Sequence, residues 1–240
     1  MKLPVLPALL LISSTLFAAD PADPKNGFSF SGKDLSGAQQ PTGTWSVVSA
    51  VSIDPANPKA FVSTPGEGVL LNTLSTKTVD FKTEAEFGDS QIHLEFCVAK
   101  NSNSGIYVQG RYEVQILDSY GKATVGVHDN GAIYERWDDA TNKGFEGTPA
   151  SANASKPPGE WQSFDITFTA PKFDAAGKKT ANAKFVKVVH NGTVIHENVE
   201  VTGPTRGGGT VEKPTGPIRI QGDHGPVAIR NLKVTPLPAK

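Results

Sequence analysis

Apolar residues recur at every second position along much of this chain. Ile92, Leu94, Phe96 and Val98 alternate with Gln91, His93, Glu95 and Cys97, and Phe164, Ile166 and Phe168 repeat the pattern. Successive side chains of a strand point to opposite faces, so each stretch predicts a strand with one face in a core. Residues 184–190, then Asn191-Gly192, then residues 193–201 predict a hairpin, because Asn-Gly tolerates positive φ at both turn positions. Residues 217–221 and 227–235 predict two closing strands joined by Gly222-Asp223-His224-Gly225. The stretch 101–121 predicts a turn, a strand and a second turn. Along it Gln109, Arg111, Glu113 and Gln115 alternate with Tyr112, Val114 and Ile116. One face is then apolar, and the other lines up an amide, a guanidinium, a carboxylate and an amide. That order suits a polyhydroxylated ligand; a solvated outer face is the alternative.

No long segment places apolar residues at helical spacing, and 24 Gly with 18 Pro punctuate the chain often. These features predict an all-β fold, a two-sheet antiparallel β-sandwich or jelly roll. Residues 120–158 read as a long loop with a short strand at Gly131-Ala132-Ile133-Tyr134, and residues 202–215, with three consecutive glycines, read as a mobile loop. At the amino terminus, Lys2, an apolar run over residues 3–12 and the small pair Ala18-Ala19 predict a signal peptide over residues 1–19. The expectation is a periplasmic or secreted protein with one domain over residues 20–240, its core about 28–236. The mature form then has no membrane insertion. With 23 basic and 24 acidic residues, nothing points to nucleic acid. Cys97 is the only cysteine, so no intramolecular disulfide forms.

Several constellations can carry chemistry. Glu113 and Gln115 share a strand face, and Asp118 can join them at the strand end; two carboxyls flanking an amide suit acid–base work on a sugar. The spacing resembles the E-x-D-x-x-E strand motif of retaining jelly-roll endoglucanases, with Gln and Asp replacing two of its three carboxylates. His93 and Glu95 form a neighbouring stripe able to act as a base or to bind a divalent cation. His224, beside Asp223 in a turn, is the strongest catalytic candidate of the five histidines; His190 and His196 read as structural. Sugars stack on rings, and Tyr107, Tyr120, Tyr134, Trp137 and Trp161 are available near the polar segments; Tyr134 and Trp137 are the binding candidates, whereas Trp161 reads as core. No nucleophile elbow, phosphate loop or zinc-protease signature is present.

Taken in order, the runs LEFCVAKNSNSGIYVQGRYEVQILDSYG, GAIY, NASKPPGEWQSFDITFTAP, VVHNGTVIHENVEVTGPT and GPIRIQGDHGPVAIRNLKV resemble the 3-keto-disaccharide hydrolase family over residues 28–236. Cys97 stands where that family's block usually has Arg. The resemblance implies a concanavalin A-like jelly roll with its ligand on a concave sheet, and a glycoside substrate oxidised to a ketone at C3. It implies removal of the C2 proton, elimination of the aglycone and hydration. In those terms Glu113 or Glu95 is the base, and Arg111 or a divalent metal ion stabilises the enolate. His224 or Asp118 is the proton donor, while Asn103, Gln109, Gln115, Tyr134, Trp137 and Gln221 bind the substrate. The rival readings are a conventional retaining glycosidase and a non-catalytic carbohydrate-binding module.

Overall fold

A computed structural model describes residues 27–73 and 78–238; the expected signal segment, residues 1–19, lies outside them. Sixteen strands and no helix occur among the described residues. In chain order they are β1 (Phe28–Ser29), β2 (Ser46–Asp54), β3 (Asn57–Asn72), β4 (Phe81–Phe87), β5 (Ser90–Val98), β6 (Asn103–Val108), β7 (Tyr112–Leu117) and β8 (Arg136–Asp138). There follow β9 (Lys143–Phe145), β10 (Gln162–Thr169), β11 (Lys172–Phe173), β12 (Lys179–Ala181), β13 (Ala183–His190), β14 (Thr193–Val201), β15 (Gly216–Ile220) and β16 (Val227–Pro236).

Two antiparallel sheets pack face to face, as the alternating pattern predicts. The larger runs β14-β13-β10-β5-β16-β3-β2 with β1 beside β16, and the smaller runs β4-β15-β6-β7. Ile92, Leu94 and Phe96 of β5 and Phe164, Ile166 and Phe168 of β10 meet Ile106, Tyr112, Val114, Ile116 and Ile218 of the smaller sheet in one core. The Phe96 and Phe164 rings stack at 4.8 Å between centroids. Truncating one of these fully buried phenylalanines to Ala costs about 3–5 kcal/mol.

The larger sheet is also apolar on part of its outer face. Cys97, Ala99 and Ala228 join Val48, Phe61, Val69 and Leu71 in a second cluster, against which Trp161 packs. Burial there pushes the Cys97 thiol up to about 12. The Gln91–His93–Glu95 stripe therefore ends at a covered patch.

Two departures from the sequence reading matter for the site. Gln109 and Gly110 have φ of 56° and 66°, so residues 109–111 turn the chain between β6 and β7 instead of extending the strand. The loop over residues 202–215 is tethered. Thr205 N–H donates to the Arg111 carbonyl at 3.0 Å, and Gly209 N–H to the Gly110 carbonyl at 3.0 Å. The Asn191-Gly192 turn has positive φ at both residues (49° and 82°), as expected. The segment 131–134 bonds to the edge of β7: Gly131 N–H donates to the Gln115 carbonyl (2.8 Å) and Tyr134 N–H to the Glu113 carbonyl (3.0 Å). A free strand edge is thereby covered.

Candidate active site

The outer face of the smaller sheet carries the polar residues left over when its apolar ones fill the core. Arg219 of β15 lies opposite Tyr107 of β6, and Tyr107 lies opposite Glu113 of β7. Tyr134 continues that row through its bond to the Glu113 carbonyl. In the next row Gln221 N–H donates to the Gly105 carbonyl at 2.9 Å, and Gly105 opposes Gln115. Above these rows lies a cavity of about 270 Å³ lined by Asn103, Tyr107, Glu113, Gln115, Tyr134, Arg206, Gly207, Gln221 and His224.

Glu113 sits at its floor, only 2% exposed. Burial raises its carboxyl to about 8, against the opposing pull of the Tyr107 hydroxyl and the Arg219 charge, while Asp80 and Asp223 push the same way as burial. The Arg219 guanidinium is committed elsewhere. It lies 3.6 Å over the Tyr107 ring, donates to the Gly207 carbonyl at 2.8 Å and faces Asp80 at 3.5 Å. Gly105 makes room for the acid: a Cβ there would stand 2.0 Å from Glu113 Oε1. Burial also raises the Tyr107 and Tyr134 phenols, with Glu113 adding to both, so each keeps its proton.

Two acceptors in the same cavity lack partners among the described residues: Asn103 Oδ1 and Gln115 Oε1 are buried without a hydrogen bond. Gln115 Nε2 donates to the His128 carbonyl at 3.3 Å, which leaves Oε1 to a ligand donor. Buried acceptors are normally satisfied, so two orphans in one cavity suit a ligand rich in hydroxyl donors. At the rim, His224 Nδ1 is 2.5 Å from Asp223 Oδ1. When Nδ1–H is donated to Asp223, Nε2 is free to exchange a proton with a bound molecule.

Six of the candidate residues therefore line one cavity: Asn103, Glu113, Gln115, Tyr134, Gln221 and His224. The others do not. Glu95 lies on β5 of the other sheet, bonded to Arg230 Nη2 (2.6 Å) and Asn231 Nδ2 (2.6 Å). Burial alone would raise its pKa, but the hydrogen bonds from Asn231 and Arg230 outweigh that and lower it. His93 pairs with Asp165 at 2.7 Å on the same sheet, two positions from Glu95, and not with Glu95. Asp118 caps a turn by accepting from Asn101 N–H at 2.9 Å. Arg111 donates to the carbonyls of Val211, Gln109 and Thr215, and so holds the 202–215 loop. Gln109, displaced by the turn, donates to the carbonyls of Phe87 and Pro214. Trp137 lines an adjoining groove, where the Arg206 guanidinium lies 3.6 Å over its ring.

The sequence reading passed over Gly105 and Arg206, and gave Tyr107 only as one of several available rings. Asn103, Gly105 and Tyr107 alternate with Ser104, Ile106 and Val108 on β6, so reading Gln109-Gly110 as a turn would have placed Gly105 and Tyr107 on the polar face. Arg206 carries no such pattern. For a divalent ion the cavity supplies Glu113 and His224. Among the described residues no group of three or more His, Cys, Asp or Glu comes together to hold one. No helix of the described residues is long and apolar enough to cross a membrane.

Solved structures share this architecture. A candidate glycosyl hydrolase from Parabacteroides distasonis ATCC 8503 superposes with a TM-score of 0.63 at 29% identity, covering 88% of this chain and 84% of that one. A second from the same organism, at 17% identity, gives 0.53 over 87% and 92% and supports the fold alone. No curated protein sequence matches the chain. Residues 28–235 match the 3-keto-alpha-glucoside-1,2-lyase-like domain, and the chain belongs to that family.

Proposed function

We propose that this protein cleaves glycosides bearing a ketone at C3, by removing the C2 proton and eliminating the C1 substituent. One observation carries the reading: Glu113 is a buried carboxyl in a ligand-sized cavity, without an ion-pair partner among the described residues, and raised to about 8. A base is most effective when its pKa lies near the working pH, so burial that raises Glu113 strengthens it for abstraction of a proton alpha to a carbonyl. The C3 carbonyl acidifies the C2 hydrogen, which Glu113 takes. Tyr134, kept protonated, donates to the C3 oxygen as charge builds there. His224 protonates the departing C1 oxygen as the C1–O bond breaks, which leaves an unsaturated keto sugar and the free aglycone. Addition of water across the new double bond completes hydrolysis. Asn103, Gln115 and Gln221 hold the remaining hydroxyls. The signal pattern over residues 1–19 supports action outside the cytoplasm.

A retaining glycosidase needs two carboxyls about 5–5.5 Å apart. Glu113 is the one carboxyl among the cavity-lining residues, which favours elimination over double displacement. The test incubates a 3-keto-disaccharide and its unoxidised parent with the enzyme in deuterated water. The expected result is cleavage of the keto form alone, with deuterium at C2 of the hydrated product. Cleavage of the parent, or an unlabelled product, overturns the proposal.

A further inference from the structure

The Glu113 cavity opens onto a second compartment whose equipment the elimination step does not use. A groove of about 440 Å³ adjoins it, lined by Trp137, Asp139, Pro204, Thr210 and others, and the two share Arg206 and Gly207 as a common wall. The first compartment, about 270 Å³, falls below the roughly 300–1,000 Å³ of pockets that enclose drug-sized ligands. One sugar ring fills it. The substituent on C1 must therefore lie outside, and the shared wall faces this groove.

Arg206 is built asymmetrically. Its main chain is fixed: N–H donates to the Glu135 carbonyl at 2.8 Å, and its carbonyl accepts from the Tyr107 hydroxyl at 3.3 Å. Its guanidinium is exposed, rests on the Trp137 indole and has no hydrogen bond to a protein acceptor among the described residues. A planar fork of five N–H donors thus stands at the boundary with its anchor set and its head free. Trp137 beneath it is a platform of the kind on which sugar C–H faces stack. Apart from Trp137 and Pro204, the groove is lined by polar residues and glycine.

We infer that Arg206 and Trp137 form the leaving-group subsite: the indole seats a second ring, and the guanidinium, lifted from the indole, donates to that ring's oxygens. Saccharide leaving groups satisfy both residues, an aryl group satisfies only the platform, and a methyl group satisfies neither. This inference rests on the proposed function for which sugar occupies which compartment. It therefore needs a test that does not depend on turnover.

Calorimetry on the Glu113→Gln background compares a 3-keto-disaccharide, a phenyl 3-keto-glucoside and a methyl 3-keto-glucoside. The subsite predicts that the disaccharide binds at least tenfold tighter than the methyl glycoside. Arg206→Ala removes most of that advantage and leaves the phenyl-to-methyl ratio within about threefold. Trp137→Ala lowers both the disaccharide and phenyl ratios, while Trp137→Phe, which keeps a ring, restores part of each. Thermal melting confirms that the variants are folded. Ratios unchanged by Arg206→Ala and Trp137→Ala overturn the subsite, as does a lost advantage of phenyl over methyl in Arg206→Ala with the disaccharide ratio intact. If Glu113→Gln itself remains fully active, the base assignment fails, and the same binding ratios measured with carbon-linked analogues of the three ligands, whose C1 substituent cannot leave, still decide the subsite.

Discussion

The two sheets each present an alternating polar stripe on their outer faces, and the stripes have opposite characters. On the larger sheet His93, Glu95 and Asp165 are partly exposed and paired; Glu95 holds Arg230 and Asn231, and its pKa falls. On the smaller sheet Tyr107, Glu113 and Gln115 are buried, and Glu113, whose pKa climbs to about 8, has no ion pair and two acceptors have no donor among the described residues. Exposed pairs of the first kind settle a folded surface and contribute little. Buried and unsatisfied groups of the second kind cost stability, and such costs concentrate at functional sites. The same period-2 pattern in the sequence produces both. What separates them is the cover supplied by residues 131–134 and 204–208, which only the fold brings over one sheet.

The contrast can be broken most sharply at its two glutamates. Glu113→Gln is expected to lower kcat on a 3-keto-glycoside by about 10²–10⁴-fold, the contribution of a positioned general base. Next, Gly105→Ala forces the Glu113 carboxyl aside. We expect a loss of at least tenfold in kcat, with destabilisation of about 1–3 kcal/mol from overpacking, read from steady-state kinetics and a denaturant melt.

Stability against pH sharpens the comparison further. Glu113 is protonated in the fold up to about 8 but ionises near 4.5 when unfolded. Its contribution is therefore complete below 4.5 and lost as pH rises toward 8. Glu113→Gln should melt higher than the unsubstituted protein at pH 9, with the difference closing below pH 4.5. His190 acts in the opposite direction. It is buried against Gln162 and Phe164, and burial first, then Lys156, lowers its pKa to about 4. Its stabilisation is complete above 6.5 and lost as pH falls toward 4, so His190→Gln should flatten the acid limb of a melting-temperature profile.

The smallest effect belongs to the exposed stripe. Glu95→Gln should change kcat less than twofold and stability by about 0.2–1 kcal/mol, as for a surface ion pair. A large catalytic loss there would erase the distinction between the faces.

The strands of the core were legible in the sequence because burial on one face enforces alternation: Ile92, Leu94 and Phe96, or Phe164, Ile166 and Phe168. Asn191-Gly192 declared its turn through φ. The β2–β3 hairpin was not legible, since most of its residues are exposed and impose no pattern. Six candidate residues line the Glu113 cavity because they share the outward face of β6 and β7 or flank it. Arg111 and Gln109 misled because a left-handed Gln109-Gly110 pair interrupts a pattern that reads as continuous. Glu95 misled because sequence does not say which sheet a strand joins. Arg206 was invisible, being placed by hydrogen bonds from Tyr107 and to Glu135 across the fold.

The central claim is that the buried Glu113 removes the C2 proton. It is tested most directly by the pH dependence of kcat/KM for a 3-keto-glycoside and its C2-deuterated form. The account predicts a primary isotope effect and a rate that rises with pH through an ionisation near 8, because kcat/KM reports the base of the free enzyme. A rate that levels off above the ordinary carboxylate range near 4–5, or no isotope effect at any pH, contradicts it.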